Sequence, residues 1–495
     1  RFLCPSGPIR TSLNSCRLGP MTKPAADSRN QSEVAADVAE IVARARRAQE
    51  AITDWDQQRV DELVTAVGWS IVRKDHAETL AQLAVDEGGF GTYADKLTKI
   101  QRRVNGLLAD MHGMQTVGVI EEDPARGLVK IAKPVGVLAA LIPTTGPDAT
   151  PPMKALMALN GRNAIVVAPH PRTCKTSELA VEYMREACAQ VGAPQDLIIS
   201  LTSPSIDKTR ELMRQADVVV ATGGAAMVRA AYSSGTPAYG VGVGNAVHVV
   251  DETADLDDAA AMIAAAKTFD LATSCLADNS VIIADAIYAD LMERLATAGG
   301  YLCNEEEKAR LQAAMWPDGG EIPALDVIAK SAAHIASLAG IQISPGTTFL
   351  MVEEDGTGPD HPFSGEKLSV VLAVYRYGGD IADAVGTIND ITAYQGLGHT
   401  CGIHTRLNEH VDALAFGTRT ARVMVNQSLN EGAGSARNGL PFTLSLSCGT
   451  WGGNITTENV NARHFINVTW VSRPIAPRPV SEEDLFSGHW AKYGA

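Results

Sequence analysis

Val218-Val-Val-Ala-Thr-Gly-Gly-Ala-Ala-Met227 reads as a buried strand, two glycines and the first turn of a helix. A run of β-branched residues this short, closed by Gly-Gly and continued by helix formers, is the signature of a strand in a two-sided parallel sheet. The same alternation extends on both sides of it. Strands are expected at Val135–Ile142, Asn163–Ala168, Asp196–Leu201 and Ala246–Val250, with helices at Lys175–Gln190, Ile206–Gln215 and Ala225–Tyr232. Parallel strands need crossovers of this length, so the chain is of the α/β class with right-handed connections. A second α/β block follows, with helix Leu256–Ala266, strand Ser280–Ala284, helices Ile287–Thr297 and Glu305–Met315, strand Leu368–Tyr375, helix Ile381–Asn389 and strand Thr400–His404. Ahead of both, residues 32–112 carry apolar side chains at helical spacing, among them Val34, Val38, Ile41 and Val42. From Asn426 onward, Gly, Asn and Ser dominate, which predicts ordered loops.

At 495 residues the chain exceeds one ordinary core, so two or three domains are expected. A hydrophobic content of 45% with 20% charged residues is that of a globular protein. The formal charge of −15 argues against a nucleic-acid surface, which needs clustered Lys and Arg. Apolar runs such as Pro134–Pro143 are too short to span a bilayer. Eight cysteines without a C-x-x-C pair or zinc spacing read as reduced thiols, which points to the cytoplasm and to no metal. Residues 1–20 contain three Arg and no acid, and Met21 follows; the expectation is a leader or an over-extended start outside the fold.

Three short segments could carry chemistry. The Gly223-Gly224 turn would offer free backbone N–H groups and a helix dipole to a phosphate, or it is a plain tight turn. Pro169-His-Pro-Arg172 ends another strand at the sheet's carboxyl edge, where open α/β sheets bind ligands; a solvated turn is the bland alternative. Gly240-Val-Gly-Val-Gly-Asn245 precedes a strand and not a helix, so it fails the dinucleotide fingerprint. Its glycines would instead let the backbone pass close to a bound group. The fourth segment is the most telling for function. Thr268-Phe-Asp-Leu-Ala-Thr-Ser-Cys-Leu-Ala-Asp-Asn-Ser280 places Cys275 on a loop of small and polar residues between a helix and a strand. A loop thiol can approach a substrate, and its thiolate is a strong nucleophile. His399 and His404 flank Thr400-Cys-Gly-Ile403 and could supply a base, or be satisfied structural side chains.

Taken in chain order, these pieces resemble the aldehyde dehydrogenase superfamily, and within it the coenzyme A-acylating branch. The likeness runs from about residue 33 to 475. It is carried by Lys133-Pro-Val-Gly-Val137 with Ile142-Pro-Thr-Thr145, Pro169–Arg172, Ala221–Gly224, Ser234–Pro237 with Gly242–Asn245, the Cys275 loop, Glu366–Ser369, Gly398–Thr400 and Cys448–Asn454. The resemblance implies a Rossmann-type cofactor domain over 21–250, a second α/β catalytic domain over 251–425 carrying Cys275, and a C-terminal segment over 426–495. That last segment would close the site and contribute to contacts in a homodimer or homotetramer. Cys275 would be the nucleophile and His399 a catalytic histidine. Thr222, Gly223 and Gly224 would lie at the cofactor phosphates, His170 and Arg172 at the adenosine end, and Glu366 on the nicotinamide ribose. The cofactor would be NADP, with NAD as the alternative, and coenzyme A the co-substrate.

Hydrolytic members carry a Glu-Leu-Gly-Gly segment whose Glu activates water. The corresponding Gly242-Val-Gly-Asn245 has no carboxylate. Acylating relatives usually read Pro-Thr-Thr-Asn-Pro where this chain has Pro143-Thr-Thr-Gly-Pro147, so Gly146 lacks the amide donor next to Thr145. Ala272 also replaces a usual glycine. The Cys275 loop and the Pro441–Trp451 stretch are most similar to acylating sulfoacetaldehyde dehydrogenases, which makes Arg437 a candidate for the sulfonate. Other readings are an acetaldehyde or other short-chain acylating enzyme, a hydrolytic aldehyde dehydrogenase, and a silent structural or cargo subunit.

Overall fold

The structure, a computed structural model, describes the backbone from residue 25 and side chains from residue 31, through residue 495. The expected leader over 1–20, and Met21, lie outside the described residues. Three sheets organise the rest. The first has five parallel strands in the order Ile198–Ser200, Ala164–Ala168, Val137–Leu141, Val218–Thr222, Ala238–Val241. The order reverses direction beside Val137–Leu141, the switch point at which such sheets open a crevice at their carboxyl ends. Ala164–Ala168 and Val137–Leu141 are buried at every position, as strands covered on both faces must be.

Helices Ala25–Glu50, Gln57–Val72, Lys74–Gly88 and Tyr93–Met111 precede this sheet, and the apolar face of the first packs on it through Val38, Ile41, Val42 and Ala45. That face is therefore part of the core. Asp56 and Thr92 start the second and fourth helices by accepting from Arg59 N–H and Asp95 N–H.

The second sheet has seven parallel strands in the order Gly300–Leu302, Phe349–Glu353, Val371–Tyr377, Asp278–Ala284, Ala246–Val250, Gly398–His404, Thr420–Val425. Here the structure differs from the expectation. Ala246–Val250, assigned from sequence to the first block, pairs with Asp278–Ala284 and Gly398–His404 in the second sheet. The Gly242–Asn245 link thus crosses from the carboxyl edge of one sheet to the amino edge of the other. Periodicity marks a strand but not its sheet, and four residues suffice to cross.

The third sheet is antiparallel, Gly118–Asp123 with Leu128–Pro134 and Ile466–Ser472. The C-terminal segment, expected as loops, therefore returns over more than 330 residues of sequence to pair with Leu128–Pro134 and then forms helix Glu482–Tyr493. Residues 426–465 are loops with short 3-10 turns, as expected.

Candidate active site

The carboxyl edge of the first sheet and the amino edge of the second face each other across the Gly242–Asn245 link. On the first edge, Thr222 ends its strand and helix Ala225–Tyr232 starts at Gly224 with no side-chain cap. A Cβ added at Gly224 or Gly242 would meet nothing within 4 Å, so this edge has room for a ligand. The N–H groups of the helix's first turn face outward there, a ready place for phosphate oxygens. His170 and Arg172 lie on the same edge two strands away, after Ala164–Ala168, where His170 Nδ1 accepts from Arg172 N–H at 3.1 Å. The Arg172 guanidinium lies over the Phe90 ring at 4.7 Å, and both His170 and Arg172 are exposed.

On the second edge, four residues precede or begin adjacent strands. Asn245 precedes Ala246–Val250, Cys275 precedes Asp278–Ala284, Glu366 precedes Val371–Tyr377, and His399 is the second residue of Gly398–His404. Parallel pairing brings all four to one edge. The link packs directly on the thiol loop, because a Cβ at Gly244 would fall 2.4 Å from both the Cβ and the carbonyl oxygen of Cys275. The glycine there lets backbone pass backbone; the sequence-based expectation had a bound group in that place. Gly244 N–H donates to Glu366 Oε1 at 3.1 Å, so one residue joins Cys275 and Glu366. Asn245 spends its amide on the carbonyls of Ser364 and Gln395, at 2.7 and 3.1 Å.

Cys275 keeps partial exposure and packs beside Val241, Leu276, Ala433 and Leu446. Burial first, then the Glu366 and Cys448 charges, push its thiol up to about 12, while Arg422 pulls the other way. Burial likewise raises the Glu366 carboxyl to about 8, against the Gly244 N–H and the charges of Lys367 and Lys267. His399 is fully buried and neither ring nitrogen has a partner among the described residues. Burial and the Arg422 charge hold it down to about 3, so it stays neutral at working pH and is a weak proton acceptor.

Arg422 is a site residue that the sequence reading missed. It is buried and donates to the carbonyls of Ser447 (2.9 Å) and His399 (3.3 Å), to Thr457 O and Asn459 Oδ1 (3.2 Å each), and to Thr400 Oγ1 (3.1 Å). A signal was present. Thr420-Ala-Arg-Val-Met-Val425 alternates, and the buried face takes Thr420, Arg422 and Met424. An Arg on the inward face of a strand needs a reason. Arg103, also missed, is buried and donates to Asn430 O, Ala433 O and Gly434 O at 2.8 to 3.1 Å, which fixes the loop next to Cys275. Cys448, quoted only as part of a motif, is buried, and its thiol donates to Leu446 O at 3.6 Å.

Thr145 and Gly146 sit on the loop after Val137–Leu141. The Thr145 carbonyl accepts from Lys96 Nζ at 3.0 Å. A Cβ at Gly146 would come 2.7 Å from Thr150 Oγ1, so Gly146 and Thr150 accommodate one another. The hydroxyl of Thr144, next in the chain, is enclosed and without a partner among the described residues. Arg437 is exposed, while Ser435 and Asn438 beside it are used to fold the loop. Among the described residues, the Arg437 side chain makes no hydrogen bond or ion pair with the thiol loop. Among the described residues no helix is long and apolar enough to cross a membrane, and no cluster of three or more His, Cys, Asp or Glu could hold a metal.

Comparison with known proteins gives the family. Residues 20–302 match the model of the aldehyde dehydrogenase family. An acylating sulfoacetaldehyde dehydrogenase of Bilophila wadsworthia is 44% identical over 461 residues, covering 92% of this chain and 99% of its own. An acetylating aldehyde dehydrogenase of Geobacillus thermoglucosidasius superposes with a TM-score of 0.87 at 34% identity, over 91% of this chain and 99% of that one. A propionaldehyde dehydrogenase of Rhodopseudomonas palustris, solved with bound coenzyme A and an acylated cysteine, superposes with a TM-score of 0.80 at 26% identity, over 88% and 97%. The chain belongs to the aldehyde dehydrogenase family.

Proposed function

We propose that this protein oxidises sulfoacetaldehyde to the corresponding acyl-coenzyme A, with Cys275 as the nucleophile and NADP as the hydride acceptor. The observation that carries the acylating reading is the carboxylate-free link packed on the thiol. Gly244 lies against the Cys275 backbone, and Asn245 has spent its amide on two carbonyls. No side chain of Gly242–Asn245 can activate water for hydrolysis of a thioester. The similarity to acylating relatives over nearly the whole chain supports the same reading.

The two edges fit the reactants. Thr222, Gly223 and Gly224 with the uncapped helix N-terminus suit a diphosphate, Arg172 and His170 the adenosine end, and Glu366 the nicotinamide ribose. Bound nicotinamide supplies the hydride acceptor, and coenzyme A the thiol that takes the acyl group. The chain's own residues do the rest. Cys275 thiolate adds to the aldehyde carbon, the thiohemiacetal oxygen rests near the Cys275 backbone N–H, and loss of hydride leaves a thioester on Cys275. Arg422 favours the thiolate, and Glu366 would accept from the ribose hydroxyls. His399, neutral and without partners, can donate or accept only transiently. The acyl group then passes to the incoming thiol.

Arg172 supports NADP over NAD, since an exposed guanidinium at the adenosine end suits a 2′-phosphate. Arg437 is the candidate for the sulfonate. A homodimer or homotetramer is supported by the outward Val468 and Trp470 on Ile466–Ser472, and a cytoplasmic location by the free cysteines among the described residues. Reduced-nicotinamide absorbance with sulfoacetaldehyde, acetaldehyde and propionaldehyde, with and without coenzyme A, tests the reading. Sustained turnover requires coenzyme A, and sulfoacetaldehyde gives the highest kcat/KM. Sustained free acid without coenzyme A would make the enzyme hydrolytic, a preference for acetaldehyde would change the substrate, and no reduction at all would make the chain a silent subunit.

A further inference from the structure

Three consecutive non-glycine residues just before the thiol lie in the left-handed region: Asp270, Leu271 and Ala272, with φ of 50°, 51° and 61°. L-residues avoid this region, and a run of them persists only where the surroundings over-determine it. The surroundings here are a buried ionic knot. Asp270 Oδ2 accepts from Lys96 Nζ and Lys99 Nζ, both at 2.9 Å, and from Thr273 Oγ1 at 2.7 Å. Its Oδ1 accepts from Thr92 N–H at 3.2 Å, and its own N–H donates to Asp95 Oδ2 at 3.0 Å. Asp270 and Lys96 are each 1% exposed. The approach leaves no slack, since a Cβ at Gly91 would fall 1.8 Å from Asp270 Oδ1. Lys99 also faces Asp148 at 3.6 Å, so the two lysines are gathered among the carboxylates of Asp270, Asp148 and Asp95.

The second arm of the knot gives it a function beyond stability. Lys96 Nζ donates to the Thr145 carbonyl at 3.0 Å as well as to Asp270. One ammonium therefore holds the loop that leads into Cys275 and the Pro143–Pro147 loop, which belong to the two different sheet edges. From Asp270 the chain reaches Cys275 in five residues, with Thr273 tied back to the carboxylate on the way. We infer that Asp270 and Lys96 are positioning residues for Cys275, setting the thiol's place relative to the Pro143–Pro147 loop across the cleft. With Gly146 offering no side-chain donor, the placement of backbone and thiol carries more of the burden on that side. The inference rests on the reading of Cys275 as the nucleophile.

The test uses the full-length protein and Asp270→Asn, Lys96→Met, Lys96→Arg and the double variant Lys96→Met/Asp270→Asn. The double variant removes one charge of each sign and leaves Lys99 balanced by Asp148, so it carries the test where a single variant fails to fold. Misplacing a reacting group by about 1 Å can cost ~10²-fold in rate. Asp270→Asn, Lys96→Met and the double variant should each lose kcat on that scale with the KM for the nicotinamide within about twofold. Lys96→Arg, which keeps a charged donor, should recover part of the loss. Variants that melt earlier but turn over at the wild-type kcat when folded would overturn the inference, as would full recovery in the double variant. Iodoacetamide labelling of the wild type separates the underlying reading. If inactivation does not map to Cys275, the nucleophile assignment fails, whatever Asp270 does.

Discussion

The two parallel sheets present opposite ends to the same cleft, and each end does what its geometry allows. The carboxyl edge of the five-stranded sheet is built of turns into helices, Thr222–Gly224 and Pro169–Arg172, which expose backbone donors. The amino edge of the seven-stranded sheet is built of chain arriving from elsewhere, and it presents side chains: Cys275, Glu366 and His399. Nucleotide phosphates suit the first, and acid, base and thiol chemistry the second. A helix N-terminus is a fixed dipole that needs no protonation. A thiol, by contrast, must be tuned by neighbours, and those neighbours are easier to gather where several loops converge. The division teaches that substitutions on the two edges should separate kinetically. On the proposed function, changes on the carboxyl edge should move coenzyme affinity, and changes on the amino edge should move the chemical step.

The largest effect expected is that of Cys275→Ala, which should abolish turnover while fluorescence titration shows nicotinamide binding little changed. Near-normal turnover would remove the nucleophile from this edge. Next is Arg422→Leu. It removes a cation that favours the Cys275 thiolate, so the thiol is driven still higher and iodoacetamide labelling at a fixed pH near 8 should slow. It also strips partners from buried carbonyls, each worth about 1–3 kcal/mol when left unsatisfied. A lower melting temperature should therefore accompany the slower labelling. Unchanged labelling at Cys275 would show that Arg422 is purely a scaffold for His399, Ser447 and Thr457.

The contrast between the edges also explains what could be read in advance. Strand, Gly-Gly and helix are adjacent in sequence at Val218–Met227, so the carboxyl edge was visible as a local pattern, and strands such as Ala164–Ala168 appear within one residue of expectation. The amino edge gathers residues 245, 275, 366 and 399 from four segments, and nothing local announces that they meet. Cys275, Glu366 and His399 are candidates through family likeness and the character of one loop, and the strand pairing puts them on one edge. Arg422 and Arg103 were not found, because their partners are mainly backbone carbonyls of loops distant in sequence. The third sheet escaped for the same reason. Ile466–Ser472 is exposed on both faces over its middle residues and pairs with a strand more than 330 residues earlier. The assignment of Ala246–Val250 to the wrong block shows the limit most clearly, since its periodicity is the same in either sheet.

Glu366 sharpens the comparison from the inside, because it stands on the amino edge yet would serve the coenzyme. In the free protein its carboxyl, raised to about 8, lies beside Gly244 and adds negative charge near the sulfur. Above about pH 8, Glu366→Gln should then label faster than wild type at Cys275. Below about 8 the wild-type carboxyl is mostly protonated and the two proteins behave alike. Above it the wild-type carboxylate disfavours the thiolate and the variant gains, by about threefold to tenfold for a half to one unit in the thiol. The same variant should raise the KM for the nicotinamide. A labelling ratio that stays flat across pH 7–10 would mean that Glu366 does not act on Cys275 in the free protein.

The smallest effect belongs to the carboxyl edge and to Arg172. Its guanidinium is exposed and stacked on Phe90, so it is held in direction without being committed to a carboxylate. A phosphate on the 2′ oxygen of the adenosine ribose would meet a charge-assisted donor there, whereas the unphosphorylated ribose would not. Solvent and salt weaken such a pair, which keeps the expected change to about 1 kcal/mol, or roughly fivefold in KM. Arg172→Ala should therefore raise the KM for NADP by about that factor, leave the KM for NAD and both kcat values nearly unchanged, and lose its effect at high ionic strength. Replacement by Lys keeps the charge without the planar stack, and so separates the phosphate contact from the packing on Phe90. Equal rises for both nicotinamides would place Arg172 on the shared diphosphate. A fall in kcat would break the division between the edges, because it would give a carboxyl-edge residue a part in the chemical step.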